Sequence, residues 1–174
     1  DVHGNQSTCT AQVTVTGSIP TATITAIPSS NVFTGGVPTN IYLGYGAQSV
    51  TLSVNASNGA PYTYQWTGNG TLSNNNTANP VFAPTTAGNY TFTVMVTNAN
   101  GCVTTSTIRI CVKDIRVPGT AGKKVYVCHV PPGNSGNPQT LEVSVNAVSA
   151  HIGAHASDKL GTCADQGCAV VSNA

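Results

Sequence analysis

The sequence predicts an all-β fold in which most of the chain forms one β-sandwich. Between residues 20 and 114, short runs of alternating polar and apolar residues recur at regular spacing, separated by clusters rich in Gly, Asn and Pro. Alternation with a period of two places successive side chains on opposite faces of a strand, and about seven such strands are typical of a sandwich. The predicted strands are residues 21–27, 39–45, 49–56, 62–67, 79–83, 89–97 and 103–112.

Two aromatic positions narrow this prediction to an immunoglobulin-like sandwich. Trp66 lies in the strand where such a sandwich buries its core tryptophan. In "AGNYTF", Tyr90 stands two residues before Phe92, which is the spacing of the tyrosine corner, with Phe92 in place of the usual cysteine. The sequence therefore predicts that Trp66, Tyr90 and Phe92 belong to the core.

Residues 1–17 predict an extra N-terminal strand without a partner of its own. An isolated strand cannot satisfy its backbone groups or bury a face. The segment repeats the order found in residues 96–112, a turn followed by a cysteine and an alternating strand. We expect it to be either the end of a preceding repeat or a strand that adds to a neighbouring subunit. The residues predicted to act in this assembly are Cys9, Thr10, Ala11, Gln12, Val13, Thr14 and Val15.

Residues 115–174 predict a small disulfide-rich α+β module that follows the sandwich domain of residues 18–114. A Pro/Gly linker is predicted at 114–124, strands at "KVYVCHV" and "TLEVSV", and a short helix over 146–155 with Asn146 as its N-cap. A module of this size buries too little apolar surface to be stable alone, so covalent or metal links are expected.

The six cysteines predict up to three disulfides and an oxidising compartment, because their number is even and none forms a CxxC pair. We favour a bridge between Cys128 and Cys163, which bracket the C-terminal module. A thiolate nucleophile at Cys128, with His129 as its base, is the less favoured alternative. The sequence leaves the other pairings open, and Cys9 has no evident partner within its own segment. The candidate disulfide residues are Cys9, Cys102, Cys111, Cys128, Cys163 and Cys168.

Three histidines and one carboxylate form a candidate metal site in the same module. His151 and His155 are four residues apart, so a helix would place both on one face. His129 follows a strand and Asp158 follows the helix, and three imidazoles with a carboxylate suit Zn²⁺ or Cu²⁺. Ca²⁺ is a further possibility at the Asp- and Asn-rich turns. The alternative is that these side chains only hydrogen-bond backbone groups within a disulfide-linked module.

Composition argues against several classes of function. Charged residues make up 6% of the chain and the net charge is +1, so nothing attracts nucleic acid or an anionic membrane. No apolar run approaches the ~20 residues that span a bilayer. HExxH and GxSxG are absent, and five acidic residues leave little material for a glycosidase pair. We expect no enzymatic activity.

Several stretches resemble repeats of large secreted surface proteins of Bacteroidota, which carry tandem Ig-like or PKD-like domains and are exported by the type IX secretion system. The stretches are "PTNIYLGYGAQSVTL", "NGCVTTSTIRICVKDIRVPG", "VYVCHVPPGN" and "AVSAHIGAHASDKLGTC". The resemblance covers roughly residues 20–165 and implies an extracellular, cell-surface location. Because the chain starts at Asp1 without a signal peptide, we expect an exported and processed product.

The leading hypothesis is a secreted bacterial surface protein that forms filaments, in which residues 1–17 of one copy add as a strand to the next copy. The first alternative is a glycan- or protein-binding module of an adhesin. Its carbohydrate platform would come from Tyr42, Tyr45, Tyr62, Tyr64 and Trp66. The second alternative is a metal-binding domain centred on the histidines.

Overall fold

The computed structural model describes residues 9–10, 17–155 and 157–165. Within these residues the elements are β1 (Thr21–Pro28), β2 (Asn40–Leu43), β3 (Val50–Ser57), β4 (Thr63–Gly68), β5 (Val81–Phe82), β6 (Gly88–Thr97), β7 (Val103–Asp114), β8 (Lys124–His129), β9 (Gln139–Ser144), a 3₁₀-helix (Val145–Ala147), α1 (Val148–Ile152) and β10 (Lys159–Leu160). Neither helix of this described part has the length or the apolar character that crossing a bilayer requires.

The first seven strands form two facing sheets. One sheet has the order β1-β3-β5 and the other β2-β7-β6-β4. Every neighbouring pair is antiparallel except β2, which runs parallel to β7. Strands 1, 3 and 5 on one sheet and 4, 6 and 7 on the other give the order of an immunoglobulin-like sandwich. The predicted fold class is confirmed.

Alternation along the strands produces the sandwich core. On β6, Phe92, Val94 and Val96 are fully buried, whereas Met95 between them faces outward. Trp66 is buried as well, and its indole N–H donates to the Thr77 carbonyl at 2.9 Å. The remaining buried members of this core are Ala26, Ile41, Leu43, Val50, Leu52, Val54, Phe82, Ile110 and Val112.

Tyr90 lies at the margin of this core, with its ring against Phe82 at a centroid distance of 4.7 Å. Its hydroxyl donates to the Thr86 carbonyl, four residues upstream, at 3.1 Å. This is the hydrogen bond of a tyrosine corner, in which the phenol fixes the chain that leads into its own strand.

The stretch predicted as a Pro/Gly linker, residues 114–124, packs against both units that it joins. Ile115 and Val117 are buried. The Tyr126 N–H donates to the Ile115 carbonyl at 2.7 Å, and the Val117 N–H donates to the Lys124 carbonyl at 3.0 Å. The segment thus links the sandwich to the module through buried side chains and backbone hydrogen bonds, which its Pro- and Gly-rich composition did not indicate.

The C-terminal module is a three-stranded sheet of order β10-β8-β9 with α1 packed on it. Its core draws Tyr42 and Ile115 from the sandwich side, together with Val125, Val127, Val143, Val148, Ile152 and Leu160. The predicted helix over 146–155 is shorter in the structure. Asn146 lies within the 3₁₀-helix, so it is not the N-cap; Ala147 precedes α1 and provides no side-chain cap.

A disulfide joins Cys128 and Cys163, the pairing that the sequence favoured. It closes a loop of 35 residues, for which the chain-entropy relation gives about 3–4 kcal/mol of stabilisation. Cys111 is also disulfide-bonded. Such bonds persist in oxidising compartments, which is consistent with an extracellular location.

Two of the cysteines predicted to form disulfides are free thiols in the structure. Cys9 is exposed, and Cys102 is partly buried in the turn between β6 and β7. The Cys102 sulfur packs against the backbone at Gly17, 2.9 Å from where a Cβ would stand, and no cysteine sulfur of the described residues bonds to it. Cys168 and the predicted assembly residues Ala11 to Val15 lie outside the described residues.

Replacing Phe92 by Ala should lower the free energy of unfolding by about 3–5 kcal/mol, because the fully buried ring leaves a cavity against Phe82. Urea denaturation followed by fluorescence measures the change. Phe33→Ala is the matched control, since the Phe33 side chain is 64% exposed and its loss should cost less than about 0.5 kcal/mol. Similar costs for the two variants would contradict the described core.

Replacing Gly44 by Ala should weaken the junction between the sandwich and the module. The residue has φ +106°, and an added Cβ would lie 2.7 Å from Arg116 Cγ and 3.1 Å from Val125 Cγ1. We expect a loss of about 2–4 kcal/mol in unfolding free energy from strain and overpacking together. Gly119→Ala is the control, because Gly119 has φ +77° with nothing within 4 Å. Equal losses in both variants would mean that the contact across the junction is not tight.

Candidate metal centre

The site lies at one end of the module sheet, where three elements meet. His129 is the last residue of β8, and Lys159 at the start of β10 pairs with Cys128. This register places Asp158, the residue before β10, beside His129. The Cys128–Cys163 disulfide closes the same end of the sheet, and the Cys163 N–H donates to Thr140 Oγ1 at 3.0 Å. The end of β8 is therefore covalently linked to the turn that follows β10.

His129 and Asp158 form the closest contact of the site. His129 Nδ1 lies 2.8 Å from Asp158 Oδ2 and 3.1 Å from Oδ1. The Val130 backbone N–H donates to Asp158 Oδ1 at 2.9 Å. The Asp158 side chain has no exposed surface, so these bonds replace the water that a carboxylate would otherwise hold.

His151 reaches the same carboxylate from α1. Val148 and Ile152 are the buried residues of this short helix, and their anchoring holds the helix against the sheet. His151 Nδ1 lies 3.5 Å from Asp158 Oδ2. Nδ1 is buried, yet it makes no hydrogen bond. A buried polar atom without a partner costs about 1–3 kcal/mol, so its position needs an explanation.

His155 borders the site from the turn after α1. Its N–H donates to the His151 carbonyl at 2.9 Å, and its own carbonyl accepts from the Asp158 N–H at 3.0 Å. Its ring stands edge-on to that of His129, with centroids 5.6 Å apart. The ligand atoms of His129, His151 and Asp158 all lie within 4.8 Å of one another, while His155 joins this group through its ring contact.

Asp158 is held ionised at neutral pH. Burial of the carboxyl acts to raise its pKa, but the His129 hydrogen bond and the Val130 N–H outweigh burial, and the pKa lies below its usual value. An ionised carboxylate only accepts hydrogen bonds, so the proton between the two residues belongs to His129 Nδ1. The site presents a carboxylate between two imidazole rings.

No sequence pattern indicates that the Val130 backbone takes part in this site. A backbone N–H carries no residue-specific pattern, and only the turn after β8 brings it to Asp158. The group of His129, His151 and Asp158 offers two imidazole nitrogens and one carboxylate oxygen, which are donor types that transition-metal ions bind. The arrangement is suited to holding a cation.

The aromatic residues of the predicted carbohydrate platform are split between two cores. Tyr42 is buried in the module core with Tyr45 packed against it, while Tyr62 and Tyr64 pack against the sandwich core. Trp66 is 2% exposed and offers no face on which a sugar ring would stack. An open cleft of about 660 Å³ lies beside β4, and its lining residues are Trp66, Thr67, Gly68, Gly70, Thr71, Leu72, Ser73, Asn74 and Asn75.

No protein-family model matches the chain, and no curated protein matches it. Among solved structures it is similar to the solution structure of the PKD domain from KIAA 1837 protein, at 22% identity and a TM-score of 0.39, covering 47% of this chain and 84% of that one. It is also similar to the PKD1 domain of Vibrio anguillarum Epp, at 19% identity and a TM-score of 0.39, covering 56% and 98% of the two chains.

The PKD domain from human KIAA0319 is a third similar structure, at 15% identity and a TM-score of 0.40, covering 64% of this chain and 98% of that one. All three of these structures are PKD domains. The immunoglobulin-like assignment rests on the strand order, and the resemblance of the C-terminal motif to Bacteroidota surface proteins stays an expectation from the sequence.

Acid should destabilise the protein through Asp158. Its folded-state pKa lies below the unfolded value of about 3.9, so its contribution is complete above pH ~4 and is lost as pH falls through the folded-state pKa. Unfolding of the EDTA-treated protein between pH 7 and pH 2 measures this loss. Asp158→Asn should flatten the acid limb, whereas Glu142→Gln, on an exposed side chain, should leave it unchanged. An unchanged acid limb in Asp158→Asn would contradict the assignment.

Proposed function

We propose that this chain is a secreted structural subunit of a bacterial cell surface, assembled into filaments by strand addition. The observation that carries the proposal is the outer edge of β1. This strand has eight residues and pairs with β3 on one side. Within the described residues, no backbone hydrogen bond reaches its other side.

The other edge strands of the sandwich are partly covered. On β4, the backbone N–H of Trp66 donates to the Asn75 carbonyl at 2.8 Å. β5 meets Leu72 through a bridge, and Tyr45 folds back onto β2. In the described part of the chain, β1 is therefore the longest edge strand with unpaired backbone groups. Such an edge is a template for the addition of another strand.

Charges that usually protect an edge are missing from this one. Residues 2–108 contain no Asp, Glu, Lys or Arg, although exposed edges are commonly guarded by charged side chains. Ile19 and Ile27, near the two ends of β1, are 67% and 51% exposed. An uncharged edge with uncovered apolar side chains favours docking of an uncharged, alternating strand.

Residues 10–16, "TAQVTVT", have the composition of that strand. Ser18, which follows this segment in the chain, is held by Asn98, which is buried and donates to the Ser18 carbonyl at 2.8 Å and to the Asn58 carbonyl at 3.1 Å. We propose that the segment pairs with β1 of the next copy. A head-to-tail contact of this kind is heterologous and generates open filaments.

The proposal assigns a structural role and no reaction to the chain, and its partner is a second copy of itself. Location at the cell surface, export and processing belong to the same proposal and are supported by the disulfides and by the sequence resemblance.

The cleft beside β4 favours a second candidate, a glycan-binding module. Saturable binding of a glycan by monomeric protein would support that candidate.

Removing residues 1–17 should abolish filaments and leave folded monomers, because the donor strand is gone while the sandwich keeps its core. Negative-stain electron microscopy and size-exclusion chromatography under non-reducing conditions measure the change. A subtler pair of variants keeps the chain length. Val13→Lys with Val15→Lys charges one face of the predicted strand, and Thr14→Lys with Thr16→Lys charges the other.

If Val13 and Val15 face the neighbouring sandwich, only the first double variant should block assembly. Adding a peptide of residues 1–17 to the truncated protein should then slow amide exchange in β1. Filaments formed by the truncated protein, or peptide protection confined to another strand, would overturn the proposal.

A further inference from the structure

The polar cluster at the end of the module goes beyond what a structural subunit needs. A His–Asp pair alone would explain His129, Asp158 and the Val130 N–H, which satisfy one another. It would not explain His151, whose buried Nδ1 faces Asp158 Oδ2 at 3.5 Å without a hydrogen bond.

We propose that His129, His151 and Asp158 bind a divalent transition-metal ion of the Zn²⁺ or Cu²⁺ class. The ligands are Nδ1 of each histidine and a carboxylate oxygen of Asp158. This role gives His151 Nδ1 the partner that the protein does not supply, and it uses the negative charge that Asp158 holds between the rings.

The spacing of the donor atoms fits such an ion. Bonds of about 2.0–2.1 Å at tetrahedral angles place donor atoms about 3.4 Å apart. The carboxylate oxygen lies 2.8 Å from one Nδ1 and 3.5 Å from the other, and one nitrogen of each ring and one carboxylate oxygen lie within 4.8 Å of one another. Binding therefore requires modest ring shifts and exchange of the His129 Nδ1 proton for the ion.

The types of ligand decide the class of ion. Two imidazole nitrogens and one carboxylate oxygen suit Zn²⁺ and Cu²⁺, whereas Ca²⁺ takes six to eight oxygen ligands. The His129 and His151 side chains are 21% and 28% exposed, which leaves a path for the ion and room for water as a further ligand. The bound ion would connect β8, α1 and the turn before β10.

The test uses the full chain, dialysed against EDTA and kept oxidised. Calorimetric titration with Zn²⁺ should show one ion per chain with a dissociation constant of about 1 μM or tighter, and Zn²⁺ should raise the melting temperature. Cu²⁺ should give an electron paramagnetic resonance spectrum with coupling to two nitrogens. Ca²⁺ should produce neither effect.

His151→Gln is the decisive variant, because His151 Nδ1 makes no hydrogen bond that the substitution could break. It should unfold at the same urea concentration as the native chain in EDTA, yet bind Zn²⁺ at least about tenfold more weakly. Asp158→Asn, which keeps an oxygen for the Val130 N–H, should weaken binding similarly.

Glu142→Gln is the control that removes an exposed carboxylate from the same module and should bind Zn²⁺ normally. Absence of Zn²⁺ and Cu²⁺ binding by the native chain would overturn the proposal. Equal Zn²⁺ affinity in His151→Gln and Glu142→Gln would overturn it as well, since the ion would then be held elsewhere.

Discussion

The pairing of the chain beyond β7 with β8 is the constraint on which the rest of the structure depends. β7 is paired with β6 along ten residues and with β2 along four, so it belongs to the sandwich over its whole length. Immediately after it, the Ile115 carbonyl accepts from Tyr126 in β8, and Arg116 bridges to Val125. One continuous stretch of backbone thus serves both sheets, and the small module does not have to be stable alone.

The position of the candidate metal centre depends on this pairing of residues 115–117 with β8. Because β8 is fixed by residues 115–117, its far end at His129 has a defined position, and β10 and α1 are arranged around it. The Cys128–Cys163 disulfide holds the end of β8 to the chain that follows β10. Each of the three proposed ligands comes from a different element, so the site exists only when the module is fully folded. An ion there would act on the stability of the module and not of the sandwich.

Local patterns predicted most of the fold, whereas long-range pairing could not be predicted from them. Alternation located all seven sandwich strands, and the positions of Trp66 and Tyr90 indicated the type of sandwich. The parallel pairing of β2 with β7 and the role of Ile115 depend on partners more than 70 residues away or in another unit, which no local pattern records. The helix predicted over 146–155 is longer than the observed α1, which ends at Ile152. Helical propensity is a local property and does not record that Val148 and Ile152 pack on the sheet.

At the candidate site too, local sequence patterns predicted some features, whereas others depend on long-range pairing. Histidine spacing drew attention to His151 and His155 as a pair on one helix face, but α1 ends at Ile152 and His155 follows in a turn. The convergence of His129 with Asp158 arises from the register of β8 and β10, and the Val130 N–H has no signature in sequence. Residue chemistry therefore located the site, while strand register determined which atoms meet.

The distribution of charge gives the two units different means of association. Every acidic residue after Asp1 lies at position 114 or beyond. Three of them, Asp114, Glu142 and Asp165, are in salt bridges with Arg116, Lys124 and Lys113, and Asp158 contacts His129. The sandwich, in contrast, has no charge before Arg109, so β1 itself carries no charge that would repel or attract another strand. A contact at β1 would then depend on backbone hydrogen bonds and apolar packing, which salt does not screen. Such a contact would suit the proposed filament, because changes in ionic strength would not weaken it.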